Sequence, residues 1–425
     1  MNNAMPLAWN RERLSDFGAI IMSTSQITTS DPESLRNTLG GMSALRAIAM
    51  LLGITLHASM AYLAVPLKDM RWVVQDTPSL ISDFAYWWVH PWRLPLFFFL
   101  AGFFAKLTMD RHGVSQFARK RFKRLVIPYL VAAWTIGPIL YVVFVCGWYL
   151  TGQCTYAQMM PHVPLPPELQ KNSFGPAHLW FLQDLIIMSS VYLFLSVVMP
   201  GTDKSVRESK IIIAPGWWMP IAAAIPTGLL LWSDLSPVVA HHNTFLADPP
   251  RLLYFTIYFI GGIVAFQNRE WFIQAVRFPT THLLLSVPFS IVFLVLLRTE
   301  FIDLQSLTGR LLMGVTVALI AWLTIYGLMG CFLHHWNSEG PLVRYIADSS
   351  YWMYLCHLPI VASLDVALHW TDIPPVLKFL VVSSATAVLG LLSYQWFVRY
   401  TIIGDYLHGR RLKPDRVATA LTAYE

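Results

Sequence analysis

Runs of about twenty predominantly apolar residues recur along almost the whole chain, and a run of that length crosses the hydrocarbon layer of a bilayer as a helix. No other feature restricts the fold as strongly. Only helices and closed barrels satisfy their backbone polar groups inside lipid, and these runs are far too long for barrel strands. Length and helix breakers mark ten spans, near residues 43–64, 80–105, 125–149, 177–199, 211–232, 252–268, 280–298, 310–332, 345–367 and 375–398. The expected fold is therefore all-α, a polytopic membrane bundle of about 10 transmembrane helices. Composition agrees: only 13% of the 425 residues are charged, against about 25% in a typical soluble domain.

Charge placement predicts orientation, because Lys and Arg collect in cytoplasmic loops. The connection between the second and third spans holds Lys106, Arg111, Arg119, Lys120, Arg121, Lys123 and Arg124, whereas 150–176 holds only Lys171. Residues 200–210 add Lys204, Arg207 and Lys210, and the C-terminal stretch adds Arg399, Arg410, Arg411, Lys413 and Arg416. Both termini are thus expected in the cytoplasm. The division that follows is a polar, Ser/Thr-rich N-terminal tail (1–42), a transmembrane domain (43–400) and a C-terminal tail (401–425). The net charge of +6 reads as topology and gives no reason to expect nucleic acid as a partner. Cys146, Cys154, Cys331 and Cys356 have no metal-type spacing, and a Cys146–Cys154 disulfide is disfavoured. The doublets His241-His242 and His334-His335 are expected in loops, solvated, and no metal site is expected.

Ionisable side chains inside spans are expensive and mark functional sites by default. The first span carries Arg46 and His57, eleven residues apart and so on one helix face, ~16 Å apart along the axis. That places Arg46 near the cytoplasmic boundary and His57 near the membrane centre, where a snorkelling Arg and a hydrogen-bonded His are the bland alternatives. The second span carries His90 and Arg93 as i, i+3 neighbours. The fourth opens on His178 and Trp180, with Trp180 read as interface belt and Asp184 deeper and in need of a partner. The ninth places His357 at the depth of His57, with Tyr354 a turn earlier. This spacing predicts depth, and it allows His57, His90 and His357 to converge.

Arginine pairs grip phosphates by bidentate hydrogen bonds, and Arg121, Arg124 and Arg46 lie together at one membrane edge. A histidine with a pKa near 6.5 can deprotonate a hydroxyl. Transfer of an acyl group from cytoplasmic acyl-CoA to a hydroxyl on the far side needs both features. On the residues alone, a transporter or ion-coupled permease is equally plausible.

Arg46-x10-His57, FFFLAGFF, FKRLVIP and SSYWMYLCHLPI, taken with LLGITLHASMAY, HLWFL, YFIGG and SYQWFVR, occur in order from about residue 43 to 405. In this the chain resembles the acyltransferase family 3 membrane enzymes, and more narrowly a branch that O-succinylates periplasmic glucans. The resemblance implies a bacterial inner-membrane enzyme with His57 as catalytic histidine, Arg46 as its motif partner, and Arg121 and Arg124 as acyl-CoA-binding residues. It places His90, Arg93, His178 and His357 at recurrent polar positions, where Asp184 and Tyr354 join them as acceptor or acyl-end candidates. Succinyl transfer favours a cation at the acyl end, for which Arg93 is the candidate. No permanently bound cofactor is implied. Acyl-CoA, as succinyl-CoA or acetyl-CoA, is the co-substrate. A glucan or other polysaccharide is the acceptor, membrane lipid surrounds the chain, and glucan synthesis machinery and a second copy of the chain are further candidate partners. Three positions depart from the family pattern: Ser43 stands for Asp, Ala101 for Ser and Gln395 for Glu. Asp184 or Asp348 is the candidate to make up the missing carboxylates. A polysaccharide exporter, or a non-catalytic component of a glucan synthesis complex, remains the alternative.

Overall fold

The computed structural model describes residues 32–64, 67, 70–160, 162–170, 173, 175–199, 214–233, 243–298, 303, 306–335 and 340–407. The N-terminal tail to residue 31, the basic residues Lys204, Arg207 and Lys210, His241-His242 and the last eighteen residues lie outside them.

The principal helices are α1 (Pro32–Ala58), α2 (Leu80–Arg121), α3 (Ile127–Leu150), α4 (Trp180–Val198), α5 (Met219–Ser233), α6 (Pro249–Gln267), α7 (Pro279–Arg298), α8 (Leu307–His335), α9 (Pro341–Leu368) and α10 (Pro375–Ser393). Each overlaps one of the ten predicted spans, although α5 begins at Met219 rather than near residue 211, where 211–213 lie outside the described residues, and α1 ends at Ala58 rather than near 64. No strand occurs among the described residues. Eight stretches are long and apolar enough to cross a membrane; one of them, Leu80–Leu150, runs through both the second and the third span, and α5 is a shorter apolar helix. The protein is an all-α, multi-pass membrane protein.

The boundaries have local causes. Helix α1 starts at Pro32, upstream of residue 43. Ser79 caps α2, and Asp248 caps α6 through the Arg251 backbone N–H, with Pro249 opening the helix. Helix α2 bends at Gly113, whose φ of 73° and ψ of 176° belong to a region that side chains with a Cβ avoid. A π-helical turn at Phe122–Val126 then feeds α3, and a second one at Tyr394–Val398 follows α10. Such turns carry one extra residue and re-aim the side chains around them. His334 and His335 form the end of α8; the loop expected for them is not there, because the apolar helix continues through both.

Helices α8 and α1 are the most enclosed, and the others turn apolar faces outward, as a lipid-facing ring does. Helices α2 and α6 meet backbone to backbone. A Cβ on Gly102 would collide with the Phe259 carbonyl oxygen, and a Cβ on Gly262 with that of Phe99. Between α1 and α2 the chain folds back into the bundle. Trp72, Val73 and Val74 are buried, with Trp72 packed edge-on to Phe144 of α3 and Gly147 leaving room for Val73. All four cysteines are free thiols.

Candidate functional site

A continuous cavity of about 1540 Å³ runs through the bundle. That exceeds the usual range for one small ligand, ~300–1,000 Å³. Its lining joins a cationic end, a histidine centre and a polar far end.

Ser43, Arg46, Lys120, Arg121, Arg124 and Asp348 line the cationic end. The π-turn begins directly after Arg121 and contains Arg124, so this distortion lies within the two-arginine motif. The Arg121 guanidinium packs 5.1 Å from the Phe117 ring centroid and donates to the Ala101 carbonyl at 3.4 Å. The Tyr351 hydroxyl donates to the Arg124 carbonyl at 2.6 Å, tying α9 to the motif.

At the centre, the rings of His57 and His357 lie 5.1 Å apart, and those of His357 and His178 lie 5.3 Å apart. The Nδ1 of His357 contacts the carbonyls of Tyr354 (2.7 Å) and Met353 (3.1 Å). A carbonyl only accepts, so Nδ1 carries the proton and Nε2 presents a lone pair. By the same reasoning His178 donates from Nε2 to the Leu355 carbonyl at 3.0 Å. The Tyr354 hydroxyl donates to the His178 carbonyl at 2.8 Å, fixing the backbone there. Ala177, just before His178, has a φ of 45°, held by its N–H donating to Asn243 Oδ1 at 2.7 Å. Strained backbone of this kind persists where the surroundings enforce it and clusters at functional sites. On its other side His57 stacks on Trp72, at 6.2 Å and 16°, and the Trp72 indole donates to the buried Asp365 at 2.8 Å.

His178, rather than His90, is the third histidine of the cluster. His90 lines the same cavity, but its ring stacks on Tyr86 at 5.2 Å and abuts Trp87. Arg93 also lines the cavity and is 8% exposed. Asp184 does not line it: the carboxylate is fully buried and receives two hydrogen bonds of 3.2 Å from Arg251 Nε and Nη2. Asp184 therefore does not replace the carboxylate absent at Ser43. Trp180, expected as interface belt, instead lies beneath Arg251, 4.5 Å from ring centroid to guanidinium. Gln395 accepts from Arg399 at 2.9 Å.

Sequence reasoning missed Arg251, Trp72, Asp365 and Asn243. An arginine directly after two prolines at a span boundary reads as topology. Asp365, inside the ninth span, was the one legible signal, being an intramembrane acid. At the far end of the cavity Asp83 pairs with Arg298, and Arg71 pairs with Glu168 at 2.6 Å. Among the described residues no three His, Cys, Asp or Glu side chains have metal-binding spacing.

The profile of the family described as Acyltransferase domain matches residues 39–395. Glucans biosynthesis protein C of Escherichia coli O157:H7 (strain EC4115 / EHEC) is 23% identical over 337 residues, 75% of this chain and 81% of that protein. The protein of the same name from Escherichia coli strain K12 is 24% identical over 248 residues, 53% of this chain and 57% of that one. No solved structure matches significantly. The family match runs from before Arg46, through the two-arginine π-turn and the histidine cluster, to the π-turn after α10, and the chain belongs to acyltransferase family 3.

Proposed function

We propose that this membrane acyltransferase moves an acyl group from cytoplasmic acyl-CoA to a hydroxyl of a periplasmic or exported glucan or related polysaccharide, with succinyl the favoured group and acetyl next. The observation that carries the reading is one cavity joining four cationic side chains to a cluster of three histidines. Arg46, Arg121 and Arg124 bind the phosphates of CoA, with Lys120 adding charge. The thioester reaches the centre, ~16 Å from Arg46 along α1. His57 takes the proton of the acceptor hydroxyl as the oxygen attacks the thioester carbon, and His357 Nε2 accepts a hydrogen bond from a second hydroxyl of the acceptor. The polar far end receives the sugar. The acceptors implied by the relatives' name, and the lysine and arginine distribution, support a bacterial inner-membrane enzyme with both termini in the cytoplasm.

The test compares periplasmic and secreted glucans from cells carrying wild type, His57→Ala or a deletion, by mass spectrometry before and after mild alkali. An alkali-labile increment only with wild type is expected, and its mass names the acyl group. General-base loss of this kind lowers rate by about 10²–10⁴. Identical spectra in the three strains, with both proteins present in the membrane, overturn the reading, and glucan export altered without covalent change supports an exporter.

A further inference from the structure

Arg93 is a buried cation that the fold leaves uncompensated. It is 8% exposed, Nε is enclosed without a hydrogen-bond partner, and no carboxylate among the described residues pairs with it. Leaving a buried charge unpaired is strongly unfavourable, so a protein that keeps one is expected to gain its counter-charge from a ligand. The position of the guanidinium says which ligand atom. Gly53, in the C-terminal part of α1, is buried against it: a Cβ there would come within 2.6 Å of Arg93 Nη1 and 3.3 Å of Cζ. Glycine inside a helix is less stable than alanine by about 1 kcal/mol. Its presence in this apolar run is explained by the guanidinium lying against the α1 backbone. Gly53 and His57 are i, i+4 neighbours, so the seat lies one turn from His57 on the same helix face. The charge of Arg93 also reaches Tyr354, His90 and His357.

We propose that Arg93 receives the negative charge that develops on the thioester oxygen, and that Gly53 is the seat holding its guanidinium in place. The role rests on the acyl-transfer reading above. As His57 takes the hydroxyl proton, the acceptor oxygen bonds to the thioester carbon and the carbonyl π pair moves onto oxygen. That oxyanion lies against Arg93. When the carbonyl re-forms, the carbon–sulfur bond breaks, and the CoA thiolate takes the proton back from His57, leaving ester and free thiol. No other reactant is needed. A terminal carboxylate on the acyl group would present the same anionic oxygen chemistry. The seat beside His57 favours the oxyanion, which forms whatever the acyl group.

The test uses the full-length protein purified in detergent, with acetyl-CoA and succinyl-CoA as donors, a linear β-glucan oligosaccharide as acceptor, and free thiol and ester as readouts. Arg93→Gln and Arg93→Ala are expected to lower kcat by about 10²–10³ on every donor the wild type accepts, with donor KM within about threefold. Added guanidinium at millimolar concentration is expected to restore part of the Arg93→Ala rate. Gly53→Ala, which keeps the charge and moves its seat, is expected to lower kcat about tenfold. Gel filtration compares folding across the set, and Arg93→Lys provides a charged control. Arg93→Gln activity within threefold of wild type overturns the role. A loss confined to succinyl-CoA and expressed in KM also overturns it and assigns Arg93 to the acyl carboxylate. An inactive His57→Ala beside a fully active Arg93→Gln removes this role alone. A fully active His57→Ala, or a wild type that consumes neither thioester, overturns the parent reading and this role with it.

Discussion

Arg93 on α2 and Arg251 on α6 are both arginines buried in the bundle, and they differ in what surrounds the charge. Arg251, 2% exposed, sits over Trp180 and shares two hydrogen bonds with the fully buried Asp184. Arg93 has a glycine notch and no acid among the described residues. A buried arginine is therefore not in itself a functional signal. What separates architecture from chemistry is whether the fold supplies the opposite charge, and here one site is closed while the other is open.

The largest effect should come from breaking the closed site. Arg251→Gln strands the Asp184 carboxylate, and loss of one partner of a buried pair costs about 3–5 kcal/mol. Thermal unfolding in detergent should show Tm falling by many degrees, with Asp184→Leu in the same chain recovering most of it. An unchanged Tm would mean that the pair is no more structural than Arg93. The sharpest contrast is the same substitution at the open site. Arg93→Gln removes an uncompensated charge, so its Tm should match or exceed that of wild type while its turnover collapses. A Tm loss as large as that of Arg251→Gln would erase the distinction. The smallest effect belongs to the exposed cationic end. Arg124→Gln should raise the KM for acyl-CoA a few-fold, as an exposed ion pair is worth about 0.2–1 kcal/mol, and the difference should shrink at high salt. A salt-independent effect would place Arg124 inside the closed part of the cavity.

Much of this was legible from apolar runs and spacing. The spans are long enough that a bilayer leaves few alternatives, and all ten are helices. Arg46, Arg121, Arg124, His57 and His357 could be picked out because a charged or titratable side chain in such a run stands against its surroundings, and all five line one cavity. What spacing could not supply was azimuth between helices. Depth along an axis made His90 as eligible as His178, and only packing decides that His90 leans on Tyr86 while His178 meets His357. The position of Asp184 inside a span calls for a partner, but that partner stands at a helix start, where an arginine looks ordinary. The π-turns and the Gly113 bend reflect how neighbouring helices pack around a few residues, and no local propensity announces them.

The reciprocal glycine contact between α2 and α6 also has a mechanical meaning. With each backbone pressed against the other at Gly102 and Gly262, the two helices form a joint without slack. They can neither approach nor slide past one another by the width of a methyl group. One helix carries Arg93 and the other Arg251, so the interval between these two charges is a fixed dimension of the protein. On the proposed acyl transfer, admission of the acceptor and release of the product would fall to the remaining walls. The close-packed pair is a fixed wall against which the rest of the cavity is built.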